Sequence, residues 1–226
     1  MTIEAGPARG SAGLAGVLLH GRGSTPEEMI GLADRLSLDG CRWVAPAAAA
    51  RSWYPHRFTE PLDANEPFLS RAIDECDRAV DEASEHGRIP PARIVVLGFS
   101  QGGCLATEYV LRHPGRCGAL VIFTGALIGP PGTPWQLAPP ATTLGGLPVL
   151  LTGSDVDQWV SETRVRETAS VLTSLGAEVR CRIYPGRDHI VSDEEIVEAR
   201  EFINSQLSTR NSQLSTRNSR ISRLKA

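Results

Sequence analysis

Apolar residues fall along the chain in short, nearly unbroken blocks rather than in strict alternation with polar ones. Gly13–Leu19, Cys41–Ala45, Ile94–Leu97, Cys117–Phe123 and Leu147–Thr152 are five such blocks, and Glu178–Tyr184 is read as a sixth strand. A short run that is apolar on both faces predicts a strand covered on both sides. Between the blocks the spacing changes to that of a helix. Met29, Ile30, Leu32, Ala33 and Leu36 share one face after a Ser24/Thr25 N-cap, Pro26, Glu27 and Glu28. Phe68, Leu69, Ala72, Ile73, Cys76 and Val80 do the same within Glu66–Glu85. Further helices are expected over Cys104–Arg112, Val160–Leu175 and Glu194 to about Leu207. Strands alternating with helices predict an α/β fold, a largely parallel sheet with helices on both faces.

The stretches outside the pattern are also informative. Residues 1–12 are small and polar and read as a flexible N-terminal arm; the core domain is expected over 13–207. Ala47–Pro67 is a long connection carrying Arg51, Trp53, Tyr54, His56 and Arg57, and loops of that length are usually functional or disordered. Thr124–Gly146, rich in glycine and proline, is too short for a folded cap domain. Near the end, Asn204–Arg210 recurs unchanged as Asn211–Arg217. Residues 208–226 hold five basic side chains and no acid, with few apolar positions, and read as a disordered basic tail.

Bulk properties narrow the class. A chain of 226 residues, 41% hydrophobic and 22% charged, suits one soluble globular domain. A formal net charge of −3 gives no reason to expect nucleic acid as a partner. No run approaches the roughly 18 apolar residues of a membrane span. Five dispersed cysteines without a C-x-x-C pair suggest reduced thiols, no metal site and a cytoplasmic protein.

The chemistry gathers at the carboxyl ends of the strands, where sheets of this kind bind ligands. Ile94–Leu97 runs into Gly98-Phe99-Ser100-Gln101-Gly102, and a helix-forming segment comes next without a break. Strand, one-residue turn and helix would leave the Ser100 hydroxyl free at the strand tip, with the glycines permitting close backbone approach. An activated serine needs a base, and the base needs an orienting acid. Of five histidines, only His189 sits in a loop between the last strand and the last helix. His20 is better read as a brace for the turn after the first strand. The acid should lie after the preceding strand, where Asp157 is the first choice and Asp155 the second; Asp188, beside His189, is the third. Amides of Gln101 and Arg22 are the expected oxyanion donors. Cys104, a turn into the helix, reads as a packed thiol rather than a nucleophile.

Leu18-Leu-His-Gly-Arg-Gly23, Gly98-Phe-Ser-Gln-Gly-Gly103, Gly153-Ser-Asp-Val-Asp-Gln-Trp-Val160 and Gly186-Arg-Asp-His-Ile190 together resemble the phospholipase/carboxylesterase family of α/β-hydrolases. The resemblance covers roughly residues 13–205. It implies a minimal α/β-hydrolase fold without a cap and a cofactor-free serine esterase using Ser100, Asp157 and His189. An acyl thioesterase or lysophospholipase with the same triad is the alternative. Two departures stand out: Gln158 and Ser161 occupy positions where the family often has proline, and Arg22 replaces the uncharged residue usual in the thioesterases. The expected partner is a small to medium ester, with no stable membrane association and a monomer or homodimer as the assembly. Trp53, Tyr54, Arg51 and Trp159 are the expected substrate contacts. Arg22, Arg51, Arg57 and Arg187 all fall at the same sheet edge; they either make the cleft electropositive or are paired and solvated there.

Overall fold

The computed structural model describes residues 1–206. Seven strands form one sheet: β1 (Thr2–Ala5), β2 (Leu14–Leu19), β3 (Cys41–Pro46), β4 (Ile94–Phe99), β5 (Ala119–Phe123), β6 (Pro148–Ser154) and β7 (Glu178–Tyr184). Their order is β1-β3-β2-β4-β5-β6-β7. Every neighbouring pair is parallel except β1 with β3. Helices α1 (Pro26–Leu36), α2 (Phe68–Ala83), α3 (Gln101–Arg112) and α4 (Glu162–Ser174) supply the crossovers, and α5 covers residues 193–206. No cap domain is added among the described residues. Among the described residues no helix is long and apolar enough to cross a membrane.

The strand reversal β3-β2-β4 explains the two apolar layers. One face of the sheet packs against α2, α3 and α4 through Leu69, Ile73, Leu105, Tyr109, Val165 and Leu172. The other packs against α1 and α5 through Met29, Leu32, Leu36, Ile196, Phe202 and Ile203. The central strands are buried at almost every position, as their unbroken apolar runs require.

Residues 1–12 are not simply an arm: Thr2–Ala5 pairs antiparallel with β3, from Thr2↔Pro46 to Ala5↔Trp43. Charge holds this edge in place. Glu4 bonds the buried guanidinium of Arg42 and also Arg9, which reaches Glu82 at 2.6 Å. Burial alone would raise the Glu4 carboxyl, but hydrogen bonds from Arg9 and Arg42 outweigh it and bring the pKa down to about 2. Residues 208–226, read as a disordered basic tail, lie outside the described residues. All five cysteines are free thiols.

Candidate active site

The site is built on the β4–α3 junction. Ser100 takes φ 54° and ψ −119°, a positive-φ conformation that costs energy in any residue with a Cβ. The neighbours make that turn possible. A Cβ on Gly98 would sit 2.2 Å from Gly102 O, and one on Gly102 would sit 2.0 Å from Leu19 O. Only glycine fits at either place. Ser100 N donates to Phe123 O at 2.9 Å, and Ser100 O accepts from Cys104 N at 2.9 Å, so the strained residue is held from both sides.

His189 Nε2 lies 2.8 Å from Ser100 Oγ, and His189 Nδ1 lies 2.7 Å from Asp157 Oδ2. The Asp157 side chain is fully buried. Its other oxygen, Oδ1, accepts from Trp159 N at 2.8 Å and Val160 N at 2.9 Å. These bonds hold the carboxylate in one orientation, aimed at the ring. Asp155 is exposed and instead accepts from Gly186 N at 2.7 Å. Of the three acids expected from sequence, Asp157 is the one hydrogen-bonded to the imidazole.

The turn after β2 lies against the elbow: a Cβ on Gly21 would be 3.4 Å from Ser100 Cβ. Gln101 N, at the first position of α3, has no intrahelical acceptor by construction. Neither it nor Arg22 N has a hydrogen-bond acceptor among the described residues. His20 braces the turn. Its Nε2 accepts from Ala48 N at 3.0 Å, so Nδ1 carries the proton and donates to Gly21 O at 2.8 Å. Burial lowers its pKa, favouring the neutral ring this arrangement needs.

A cavity of about 690 Å³ opens at Ser100 and His189. Tyr54, Phe58, Cys104, Trp159 and Val160 supply apolar lining, and Arg22, His56, Arg57 and Glu60 add polar groups. Two of the expected substrate contacts, Tyr54 and Trp159, are thus in its wall. Trp53 does not line this cavity: it is buried, with Nε1 donating to His20 O at 2.8 Å. Arg51 is exposed and also absent from the lining; its carbonyl accepts from Gly23 N at 2.8 Å. Arg187 is buried, bonding Thr124 Oγ1 at 2.8 Å and pairing with Glu195 at 3.2 Å. Of the four arginines expected at the mouth, only Arg22 and Arg57 face it. Phe58, Glu60 and Val160 were missed by sequence reasoning; the length of the loop that holds Phe58 and Glu60 was the available signal. Cys104 is buried and touches the cavity. Burial pushes its thiol up to about 11, which makes it a poor nucleophile.

A family model described as Phospholipase/Carboxylesterase matches residues 11–207. The chain belongs to the phospholipase/carboxylesterase family. A family member of known structure, from Dyadobacter fermentans, is 36% identical, with a TM-score of 0.80 over 89% of this chain and 95% of that one. The Arabidopsis thaliana SOBER1 structure, 21% identical, shares the fold with a TM-score of 0.73 over 86% of this chain and 99% of its own. By sequence, a probable carboxylesterase of Oryza sativa is 28% identical over 71% of this chain and 60% of its own length. An acyl-protein thioesterase 1 of Gibberella zeae is 30% identical over 53% of this chain and 50% of its own. The chain therefore spans 60% or less of the length of these two sequence relatives.

Proposed function

We propose that the protein is a serine hydrolase of carboxylic esters that works through an acyl-enzyme. The observation that carries this reading is the continuous hydrogen-bonded chain Ser100 Oγ, His189 Nε2, His189 Nδ1, Asp157 Oδ2, at 2.8 and 2.7 Å. His189 takes the Ser100 proton as Oγ bonds to the acyl carbon. Asp157 holds the Nδ1–H tautomer and stabilises the imidazolium. The amides of Arg22 and Gln101 receive the negative oxygen of the tetrahedral intermediate. His189 then protonates the departing alkoxide. In the second half it deprotonates water, which attacks the acyl carbon and releases the acid and Ser100. Apart from substrate and that water, each step uses side chains and amides of this chain.

Substrates of small to medium size fit a cavity of about 690 Å³ lined by Tyr54, Phe58, Trp159 and Val160. The similarity to named carboxylesterases supports an oxygen ester. The Gibberella zeae relative supports a thioester reading with the same residues; rates on matched oxygen and sulfur esters separate the two. The test of the mechanism is covalent. A fluorophosphonate should add once per chain, at Ser100, with activity lost in proportion. Modification elsewhere, or full activity after labelling, would contradict it.

A further inference from the structure

The wall of the cleft is a loop with little regular structure of its own. Between β3 and α2 the chain holds only two short 3-10 turns, Ala49–Arg51 and Leu62–Asn65. Connections this long are ordinarily mobile unless something ties them down. Yet Tyr54 to Phe58 and Glu60 line the cavity beside Ser100. Asn65 accepts from His56 N at 2.9 Å and Gly129 N donates to Phe58 O at 2.7 Å, which fastens the far part of the loop. The near part, Trp53 to His56, is tied by the side chains of Arg22 and Gln101, the two residues whose amides are the oxyanion donors proposed above. Arg22 donates from Nη2 to Tyr54 O at 2.9 Å and His56 O at 2.7 Å, and from Nη1 to Pro55 O at 2.9 Å. Gln101 accepts from Trp53 N at 3.0 Å and donates to Tyr54 O at 2.8 Å.

We propose that Arg22 is a positioning residue whose guanidinium fastens the cleft wall to the oxyanion turn, setting pocket shape and oxyanion geometry together. The proposal rests on the serine-hydrolase reading, in which the Arg22 amide binds the oxyanion. A planar fork of fixed donors can satisfy three consecutive carbonyls at once; an ammonium is a point charge on a flexible stem and cannot reproduce that geometry. Three of the five guanidinium N–H donors are engaged by the protein's own backbone, and through them Arg22 orders the loop. Any shift of the loop is transmitted to the turn through the Arg22 side chain, and from there to the Arg22 amide. Gly23 N, bonded to Arg51 O at 2.8 Å, closes the same ring from the backbone.

The test compares wild type, Arg22→Lys, Arg22→Ala and Ser100→Ala on neutral nitrophenyl esters of increasing acyl length, with and without guanidinium chloride well below denaturing concentration. Arg22→Lys and Arg22→Ala should each lose between about tenfold and 10²-fold in kcat, less than the roughly 10²–10³ for outright loss of an oxyanion donor. KM should rise in both, more for the longer acyl groups that reach the loop. Added guanidinium should restore part of the kcat of Arg22→Ala. Should Arg22→Ala fail to fold, Arg22→Lys still decides. A folded Arg22→Lys with kcat and KM within about twofold of wild type would overturn the proposal. So would a variant that lowers only the thermal midpoint, since that is what a purely structural side chain would do. Activity surviving in Ser100→Ala would instead defeat the underlying mechanism, whatever the Arg22 variants do.

Discussion

Asp155 Oδ1 accepts a hydrogen bond from Gly186 N at 2.7 Å, so the turn carrying the candidate acid is fastened to the turn carrying the histidine. Asp157, two residues on, receives His189 and two backbone amides. The two acids therefore divide the labour, one holding loops together and one orienting the ring. Asp157→Asn should lower kcat on the scale of about 10⁴, as when a triad acid is neutralised. Asp155→Asn retains an acceptor for Gly186 N and should stay within about tenfold of wild type. Steady-state kinetics on one neutral ester settle the assignment; reversed magnitudes would move the acid to Asp155.

Glycines give a prediction of opposite signs. Gly98→Ala or Gly102→Ala forces a Cβ into backbone atoms at 2.2 or 2.0 Å and should destabilise by about 1–3 kcal/mol or more, with activity falling as the elbow opens. Gly31 lies exposed within α1, and a Cβ there meets nothing within 4 Å. Gly31→Ala should stabilise by about 0.5–1 kcal/mol, the helix-interior penalty of glycine. Denaturant midpoints measure both.

The N-terminal strand carries an acid-sensitive contribution. The Glu4 carboxyl is lowered from 4.5 to about 2 in the folded protein. A depressed carboxyl stabilises the fold fully above its unfolded value and progressively less as pH falls from there toward the folded value. Glu4→Gln should accordingly be less stable than wild type at neutral pH, also because it leaves Arg42 buried without its anion. The gap in thermal midpoint should narrow as pH is lowered from about 4.5 toward 2, the interval between the two pKa values. A gap independent of pH would mean that the ion pairs do not secure β1.

Sequence showed the sheet and the chemistry for one reason, and hid the rest for another. Central strands are buried on both faces, so their runs are continuously apolar and need no partner to be recognised. The elbow declares itself because glycine is required on both sides of Ser100. β1 is four residues with half-exposed alternation, and beyond its ladder with β3 it is held by Arg42 and Arg9, partners that leave no periodic trace. Trp53 shows the same limit. An aromatic in a long loop looks alike whether it faces substrate or core, and here Nε1 finds His20 O in the interior. Arg187 was equally opaque, since its burial depends on Thr124 and Glu195 from other elements.

At the other end, α5 belongs to the core, whereas the repeat-bearing segment beyond it is expected to be dispensable. Ile196, Ala199, Phe202 and Ile203 are buried against α1 and the sheet. A chain ending at Gln206 should keep the thermal midpoint and turnover of the full chain. Phe202→Ala should cost about 3–5 kcal/mol, as for other buried aromatics cut to alanine. A clear loss of stability or activity in the shortened chain would give the repeated Asn-Ser-Gln-Leu-Ser-Thr-Arg segment a part in the fold or the assembly.

The central claim is that Ser100 Oγ, 2.8 Å from His189 Nε2, is the nucleophile. The most direct measurement is turnover of a neutral ester by purified Ser100→Ala, with circular dichroism and thermal melting confirming that the fold is retained. The predicted loss in kcat is on the order of 10⁴-fold or more, the typical consequence of removing a nucleophile. A folded Ser100→Ala that hydrolyses the ester within about tenfold of wild type would contradict it.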